Sequence, residues 1–346
     1  MNSTNSSEGF QIPKVIFGTS SLGNLFTALD DDTKLEIVKQ CFLHADKPVV
    51  FDSAGKYGAG LALEALGDCL KKLNVKPEEV IISNKLGWLR TELKTDEPTF
   101  EPYVWKNLKN DAVQKISYHG ILECFEQGNQ LLGSYIPQML SVHDPDEYLI
   151  AASSAEDRSK RYQNILDAYK ALFDLKKQGK VKAIGIGAKD WKIIKELSAD
   201  LDFDWVMIAN SMTVYSHPKE LLDFMTVLSQ KGVIIINSAV FNAGFLTGGD
   251  FYNYVPVSRD NPQHQELFKW RDQFYKICAD FDVKPASACV QFGLSAPGVK
   301  SIALNTSNPK RVEGNIAMAN DYICDAFWQK LEEENLITLK PSLSIS

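Results

Sequence analysis

Four residues that can move a proton stand at the ends of three successive strand-like runs. Asp52 and Tyr57 follow the apolar run 49–51, Lys85 follows 80–84, and His143 follows 139–142. A free phenol, with a pKa near 10, is a poor acid or base at neutral pH. A neighbouring ammonium favours the phenolate and lowers that pKa, and an aspartate paired to the ammonium keeps it charged and oriented. A histidine beside them can donate a hydrogen bond to a substrate oxygen. Together they suit transfer of one proton at a carbinol or carbonyl oxygen. The set lacks an activated nucleophile, so hydride transfer to a separate cofactor is its natural partner reaction. Each residue also has a purely structural explanation. Asp52 can cap a helix, Tyr57 can pack at the surface, Lys85 can be a solvated strand end and His143 a satisfied core histidine. Their coincidence at three consecutive strand ends favours chemistry.

Elements that would bring them together are visible along the chain. Eight short runs rich in β-branched residues fall at 15–18, 49–52, 80–84, 139–142, 183–186, 205–209, 233–237 and 300–304. Continuous apolar runs of this kind suit strands buried on both faces. Helix-period stretches separate them at 33–44, 59–73, 118–132, 162–178, 191–199 and 217–230, with a longer one over 263–296 and another over 309–320 opened by Pro309. Such alternation predicts a single-domain α/β protein of the TIM (β/α)₈ barrel type over residues 13–340, preceded by a flexible polar tail over 1–12. The rim at the strands' C-terminal ends then carries the four residues. One long irregular stretch, 88–117, reads as a functional loop or lid whose Trp88, Phe100, Tyr103 and Trp105 can cover a ligand, or equally as an ordinary packed excursion. The turn Gly55-Lys-Tyr-Gly-Ala-Gly matches no phosphate-loop pattern and reads as the tight connection presenting Tyr57.

Composition narrows the class. The chain has 346 residues and a formal net charge of −7, which argues against a nucleic-acid partner. The longest apolar stretch is too short and too polar to span a bilayer, and the N-terminus lacks the features of a secretory signal. Cys41, Cys69, Cys124, Cys278, Cys289 and Cys324 contain no CxxC pair and read as free thiols of a cytoplasmic protein. The five histidines show no metal-ligand spacing, so no metal site is expected. A small-molecule substrate is the expected partner; oligomeric state is open.

The segments Val49-Val-Phe-Asp-Ser-Ala-Gly-Lys-Tyr-Gly, Ile82-Ser-Asn-Lys-Leu-Gly and Leu140-Ser-Val-His-Asp-Pro-Asp resemble those of the aldo-keto reductase superfamily. Val181-Lys-Ala-Ile-Gly-Ile-Gly and Asn308-Pro-Lys-Arg-Val-Glu-Gly-Asn continue the resemblance in the family's order. The segment after Tyr118, the His-Asp-Pro-Asp turn and Val240-Phe-Asn-Ala-Gly-Phe-Leu-Thr-Gly are most similar to its aldose 1-dehydrogenase branch, the L-fucose, D-threo-aldose and L-galactose dehydrogenases. The resemblance implies an NAD- or NADP-dependent enzyme that oxidises the C1 hydroxyl of a cyclic sugar to the lactone. It makes Tyr57 the general acid/base, tuned by Asp52 and Lys85, with His143 positioning the reacting oxygen. Asp144 and Trp88 become candidate substrate contacts. Asp146 can serve likewise, or the two aspartates can simply form a polar turn.

For the cofactor, the resemblance gives Arg311 and Asn315 to the adenosine end, and Gly244 and Leu246 to a loop over the pyrophosphate. Asn305 stands where many NADP-preferring members carry lysine, and on that ground NAD is preferred over NADP. The residues that usually hold the nicotinamide are replaced. Gly187-Ala188 stands for a Ser-Asn pair, Ser211 for a glutamine, and Ser238 for a stacking aromatic. Competing expectations are an aldehyde or ketone reductase using the same residues in reverse, and a regulatory subunit that binds the cofactor as a sensor. A metal-dependent isomerase or hydrolase built on His143, Asp144 and Asp146 is disfavoured by the lack of further ligands at other strand ends.

Overall fold

The structure, a computed structural model, describes residues 11–339. The expected tail over 1–12 therefore lies almost wholly outside the described residues. Eight parallel strands close into a barrel in chain order: β1 (Val15–Gly18), β2 (Val49–Ala54), β3 (Val80–Leu86), β4 (Met139–His143), β5 (Ala183–Ala188), β6 (Trp205–Ala209), β7 (Ile234–Ser238) and β8 (Val299–Leu304). β8 pairs with β1 to complete the ring. Most of these strands extend one or two residues past their apolar runs, because the polar residues at their ends still pair. Asp52 lies opposite Ser83, Lys85 opposite Ser141, and His143 opposite Gly187.

Alternation of side chains along each strand divides the core in two. Ile16, Val50, Met139, Ala183, Trp205, Met207 and Ile236 fill the barrel interior. Val49, Phe51, Ile82, Leu140, Val142, Ile184, Ile186, Val206, Ile208 and Ile302 face the surrounding helices. Trp205 dominates the interior: a Cβ at Gly185 would fall 2.1 Å from its ring, so β5 can pass this indole only as glycine. Above that apolar floor the inward positions turn polar: Asp52 on β2, Ser83 and then Lys85 on β3, and Ser141 and then His143 on β4.

The outer layer comprises α1 (Asp31–His44), α2 (Leu61–Lys72), α3 (Tyr118–Leu132), α4 (Pro145–Ile150), α5 (Ala155–Lys177), α6 (Trp191–Leu197), α7 (Lys219–Gln230), α8 (Gln265–Asp280), α9 (Pro285–Ser295), α10 (Val312–Met318) and α11 (Asp325–Glu333). Side-chain caps fix several starts: the Asp30 carboxylate accepts from Thr33 N at 2.7 Å, and Ser154 Oγ accepts from Asp157 N at 3.1 Å. That serine cap starts α5 at Ala155, earlier than the apolar period at 162. The stretch 263–296 is two helices, since Asp282 adopts a φ of 53° and Pro285 opens a new first turn. Pro309–Arg311 forms a 3₁₀ turn ahead of α10. The amphipathic end of the chain packs on its own barrel, where Phe327, Trp328, Leu331, Leu336 and Ile337 are buried.

The stretch 88–117 departs most from expectation. It holds an antiparallel pair, Trp88–Glu92 with Asn110–Gln114, and its aromatics mostly face inward. Phe100 and Trp105 are buried with Ala59 and Ala112 beside Tyr57, while Tyr103 is exposed. A second small pair, Phe251–Tyr252 with Val255–Pro256, rises from the β7–α8 connection. Among the described residues no helix is long and apolar enough to cross a membrane. Five of the six cysteines are buried free thiols, and Cys324 is partly exposed.

Candidate active site

The turn after β2 is set by backbone contacts that only glycine permits. A Cβ at Gly55 would meet Trp88 O at 2.6 Å, and one at Gly58, whose φ is +60°, would meet Gly23 O at 2.3 Å. Clamped between the β1 loop and the inserted pair, this turn holds Tyr57 in place. Trp105 packs against the Tyr57 ring with centroids 5.8 Å apart, and His143 meets it edge-on at 5.4 Å. Lys85 Nζ sits 4.7 Å from the ring centroid. The ammonium also lies 2.5 Å from Asp52 Oδ2 and donates to Ser53 O at 3.2 Å, while Ser83 Oγ donates to Asp52 Oδ1 at 3.0 Å. Asp52, Tyr57, Lys85 and His143 are thus brought together at one end of the barrel.

Electrostatics differ from the expectation in one respect. The Tyr57 pKa is pushed well above its usual value rather than lowered. Burial is the main cause, reinforced by the Asp52 and Asp144 carboxylates, against a smaller opposing effect of Lys56. Lys85 does not reverse this, because its charge is compensated by Asp52 and it faces the ring. Part of the Tyr57 surface nevertheless remains open at the mouth. His143 is driven well below its usual pKa, first by burial and then by the Lys85, Lys56 and Lys189 cations. Its imidazole is neutral at pH 7, with Nδ1 buried and without a partner. A neutral ring can donate from Nε2 to a substrate oxygen.

A layer of charge that the strand-end pattern did not single out lies over this floor. Lys56, next to Tyr57 and buried, is 2.7 Å from Glu101, 3.2 Å from Glu147 and 3.5 Å from Asp144. Burial acts to lower the Lys56 pKa, but the Asp144, Glu101 and Glu147 carboxylates outweigh it and raise it. Lys189, just beyond β5, pairs with Glu147 and lies 3.8 Å from Asp144. Tyr254, in the turn of the second small pair, stands with its ring 5.5 Å from Lys189 Nζ. Lys56 sat inside the turn that displays Tyr57, and Lys189 stands at a strand end; position was the available signal in both cases. Of the expected substrate contacts, Asp144 Oδ2 is 3.5 Å from His143 Nε2. Trp88 has its ring 5.4 Å from Lys56 Nζ, packs on Phe100, and keeps Nε1 buried without a partner. Asp146 instead accepts from Lys189 N and Asp190 N at 3.0 and 2.9 Å, which is the turn role.

The expected cofactor residues line the opposite half of the rim. A Cβ at Gly187 would occupy the space between Met207 Cβ at 3.6 Å and the Lys85 stem at 3.9 Å, so glycine leaves room beside the lysine. Ser211 Oγ donates to Lys189 O at 2.6 Å. Ser238 ends β7, and its carbonyl accepts from Asn210 N. Asn210, in left-handed conformation, keeps a buried Oδ1 without a partner. This orphan acceptor and the space at Gly187 fit a carboxamide-bearing ring beside Tyr57. Gly244 and Leu246 lie in a closed loop whose amides both donate to Phe241 O, and buried Arg271 braces it through Phe245 O and Gly249 O. Asn305 is tied to the β1 loop: it donates to Ser20 Oγ at 2.8 Å and accepts from Ser21 Oγ at 2.9 Å. Arg311 is exposed at the start of α10, and Asn315, one turn on, lines a crevice with Phe17, Thr19, Thr306 and Val312.

Comparison with known proteins agrees with this arrangement. The profile of the Aldo/keto reductase family matches residues 14–335. A pyridoxal 4-dehydrogenase of Microbacterium luteolum is 28% identical over 95% of this chain and 96% of its own. A D-threo-aldose 1-dehydrogenase of a Pseudomonas species is 26% identical, with the same shares covered. Among solved structures, a glycerol dehydrogenase from Gluconobacter oxydans superposes with a TM-score of 0.66 over 95% of this chain and 94% of its own, at 16% identity, a likeness of fold. The chain belongs to the aldo/keto reductase family, with the relatives of its aldose dehydrogenase branch, and is an NAD(P)-dependent oxidoreductase.

Proposed function

We propose that the protein oxidises the C1 hemiacetal hydroxyl of an aldose of the L-fucose, L-galactose or D-arabinose type to the lactone, with Tyr57 as general acid/base. The observation that carries this reading is the neutral His143 against Tyr57, above the Lys85–Asp52 pair and below a mouth lined with charged hydrogen-bonding groups. A cofactor, when bound, supplies the nicotinamide that exchanges a hydride with C1. Arg311 and Asn315 would hold its adenosine end; Gly187, Asn210, Ser211 and Ser238 would surround its carboxamide. NAD is preferred over NADP because Asn305 carries no charge and its amide is already bound to Ser20 and Ser21.

His143 donates from Nε2 to the reacting oxygen and fixes it near Tyr57. The Tyr57 oxygen exchanges the proton with that oxygen, and Lys85, held by Asp52, supplies positive charge against the ring as the phenolate develops. Because the resting phenol holds its proton, oxidation speeds up as pH rises through the alkaline range, whereas reduction is served by the phenol as it stands. That raised pKa favours a second reading, reduction of an aldehyde or ketone by the same residues. The test is a panel: NAD⁺ or NADP⁺ reduction with L-fucose, L-galactose and D-arabinose, against NADH or NADPH oxidation with simple aldehydes. If every sugar fails while simple aldehydes turn over, the aldose reading is lost and the second stands.

A further inference from the structure

We propose that Asp144, held between Lys56 and Lys189, accepts a hydrogen bond from the hydroxyl on the carbon next to the reacting one, so that the site selects 2-hydroxy aldehydes and their cyclic hemiacetals. The inference rests on the reading above in that His143 holds the reacting oxygen.

Three nitrogens surround Asp144 Oδ2: His143 Nε2 and Lys56 Nζ at 3.5 Å, and Lys189 Nζ at 3.8 Å. All three exceed the usual length of a charge-assisted hydrogen bond. Both lysines make their closest contacts elsewhere, Lys56 with Glu101 and Glu147, Lys189 with Glu147. The Asp144 carboxylate is therefore compensated in charge yet left without a close donor. It keeps this position with a φ of 45°, a left-handed conformation that side-chain-bearing residues seldom adopt, just ahead of Pro145. Groups from four separate connections converge to hold it: Lys56 after β2, Glu101 from the inserted segment, Glu147 after β4 and Lys189 after β5.

Charge decides what this acceptor takes. Two lysines face three carboxylates in the network, Glu101, Asp144 and Glu147, so an anionic substituent meets net repulsion, whereas a hydroxyl donor is welcome. Distance decides which hydroxyl. Gauche oxygens on neighbouring carbons lie about 3 Å apart, close to the 3.5 Å between His143 Nε2 and Asp144 Oδ2. An oxygen on His143 therefore brings the hydroxyl of the adjacent carbon to Asp144. Lys56 and Lys189 act as positioning residues, through Asp144 rather than on the substrate.

The experiment compares kcat/KM within two substrate pairs: D-arabinose against 2-deoxy-D-ribose with NAD⁺, and glycolaldehyde against propanal with NADH. The hydroxylated member is expected to lead by about 100-fold in the wild type, the scale of one hydrogen bond to a charged group. Asp144→Asn and Lys56→Met should each cut that ratio at least about tenfold, and Lys56→Arg should restore most of it. A merely structural role for Lys56 lowers both members together and leaves the ratio unmoved, which overturns the proposal, as does a wild-type ratio near one. Oxidation of D-arabinose and 2-deoxy-D-ribose at equal rates sinks this inference and leaves the dehydrogenase reading standing. A glycolaldehyde preference that depends on Asp144, with no sugar oxidised, does the reverse. Failure of glycolaldehyde as well as the sugars ends both.

Discussion

At the ends of β2, β3 and β4 the polar side chains touch one another; at the ends of β5 to β8 they mostly touch the scaffold. Asp52, Lys85, Tyr57, His143, Asp144 and Lys56 form one connected set of contacts, closed over a buried ion pair. Ser211, Asn305 and the amides of Gly244 and Leu246 instead spend their hydrogen bonds on backbone and on the β1 loop. The first half is preorganised, with its charges paired before any substrate arrives. The second offers a few unspent groups, among them the Asn210 Oδ1 and the exposed Arg311. Residues that must share charge are recognisable by type, because few other residues can do their work. Residues that border a cofactor can be exchanged and re-employed as struts.

The hardest test of the first half is Tyr57→Phe. Turnover is expected to fall about 10³-fold or more, while NAD⁺ affinity, read by quenching of tryptophan fluorescence, stays within about twofold. Unchanged turnover removes Tyr57 from the chemistry. A joint loss of turnover and affinity means that the two halves are coupled through the tyrosine ring. Lys85→Met probes the buried pair beneath it. Leaving Asp52 buried and uncompensated should cost about 3–5 kcal/mol of stability in denaturant unfolding, and Asp52→Asn in the same chain should recover much of that. Strict additivity of the two changes would show that the pair does not act as a unit.

Much of the architecture was legible from the strand runs, because strands buried on both faces must be apolar and the barrel demands eight. Tertiary contacts hid the rest. The pairing of Trp88–Glu92 with Asn110–Gln114 is carried by a mixed sequence in which Phe100 and Trp105 turn inward, so it looked irregular. The break at Asp282 depends on a left-handed residue, which local periodicity cannot register. In the site, the types and strand-end positions of Asp52, Tyr57, Lys85 and His143 announced a proton-transfer set. The direction of the Tyr57 shift did not follow from that set, because burial, reinforced by the Asp52 and Asp144 carboxylates, decides it. Lys56 was visible only as a letter beside Tyr57; its partners come from segments 45 and 91 positions further along the chain.

The two halves also differ in how they answer to acid. His143 lies in the first, and its pKa is well below the unfolded value near 6.5, so the folded chain binds fewer protons there than the unfolded one. Stability from this group is fully present above pH 6.5 and is lost as pH falls below it, at up to about 1.4 kcal/mol per pH unit. His217 shifts the same way: burial lowers its pKa, and its Nε2 accepts from Thr338 N. Urea unfolding at pH 7.0 and 5.5 should give a smaller difference for His143→Gln than for the wild type, by about 1 kcal/mol. Equal differences would show that the imidazole is protonated at pH 5.5 in the fold.

Asn305 gives the smallest effect and the sharpest comparison, because the family resemblance assigns it to the cofactor while its bonds tie it to the scaffold. It joins the end of β8 to the β1 loop through Ser20 and Ser21, both near the crevice that Asn315 lines. Asn305→Ala removes both hydrogen bonds of an exposed side chain, so at most about 1 kcal/mol of stability should be lost. If Asn305 is a strut, the dissociation constant of NAD⁺ moves by less than about twofold, whereas Arg311→Met, which removes a charge and its directed donors, raises that of NADP⁺ by about tenfold. A rise in the NAD⁺ constant for Asn305→Ala without any loss of stability would reverse the assignment. Asn305 would then be a cofactor ligand, and the second half of the rim would be built on the same plan as the first.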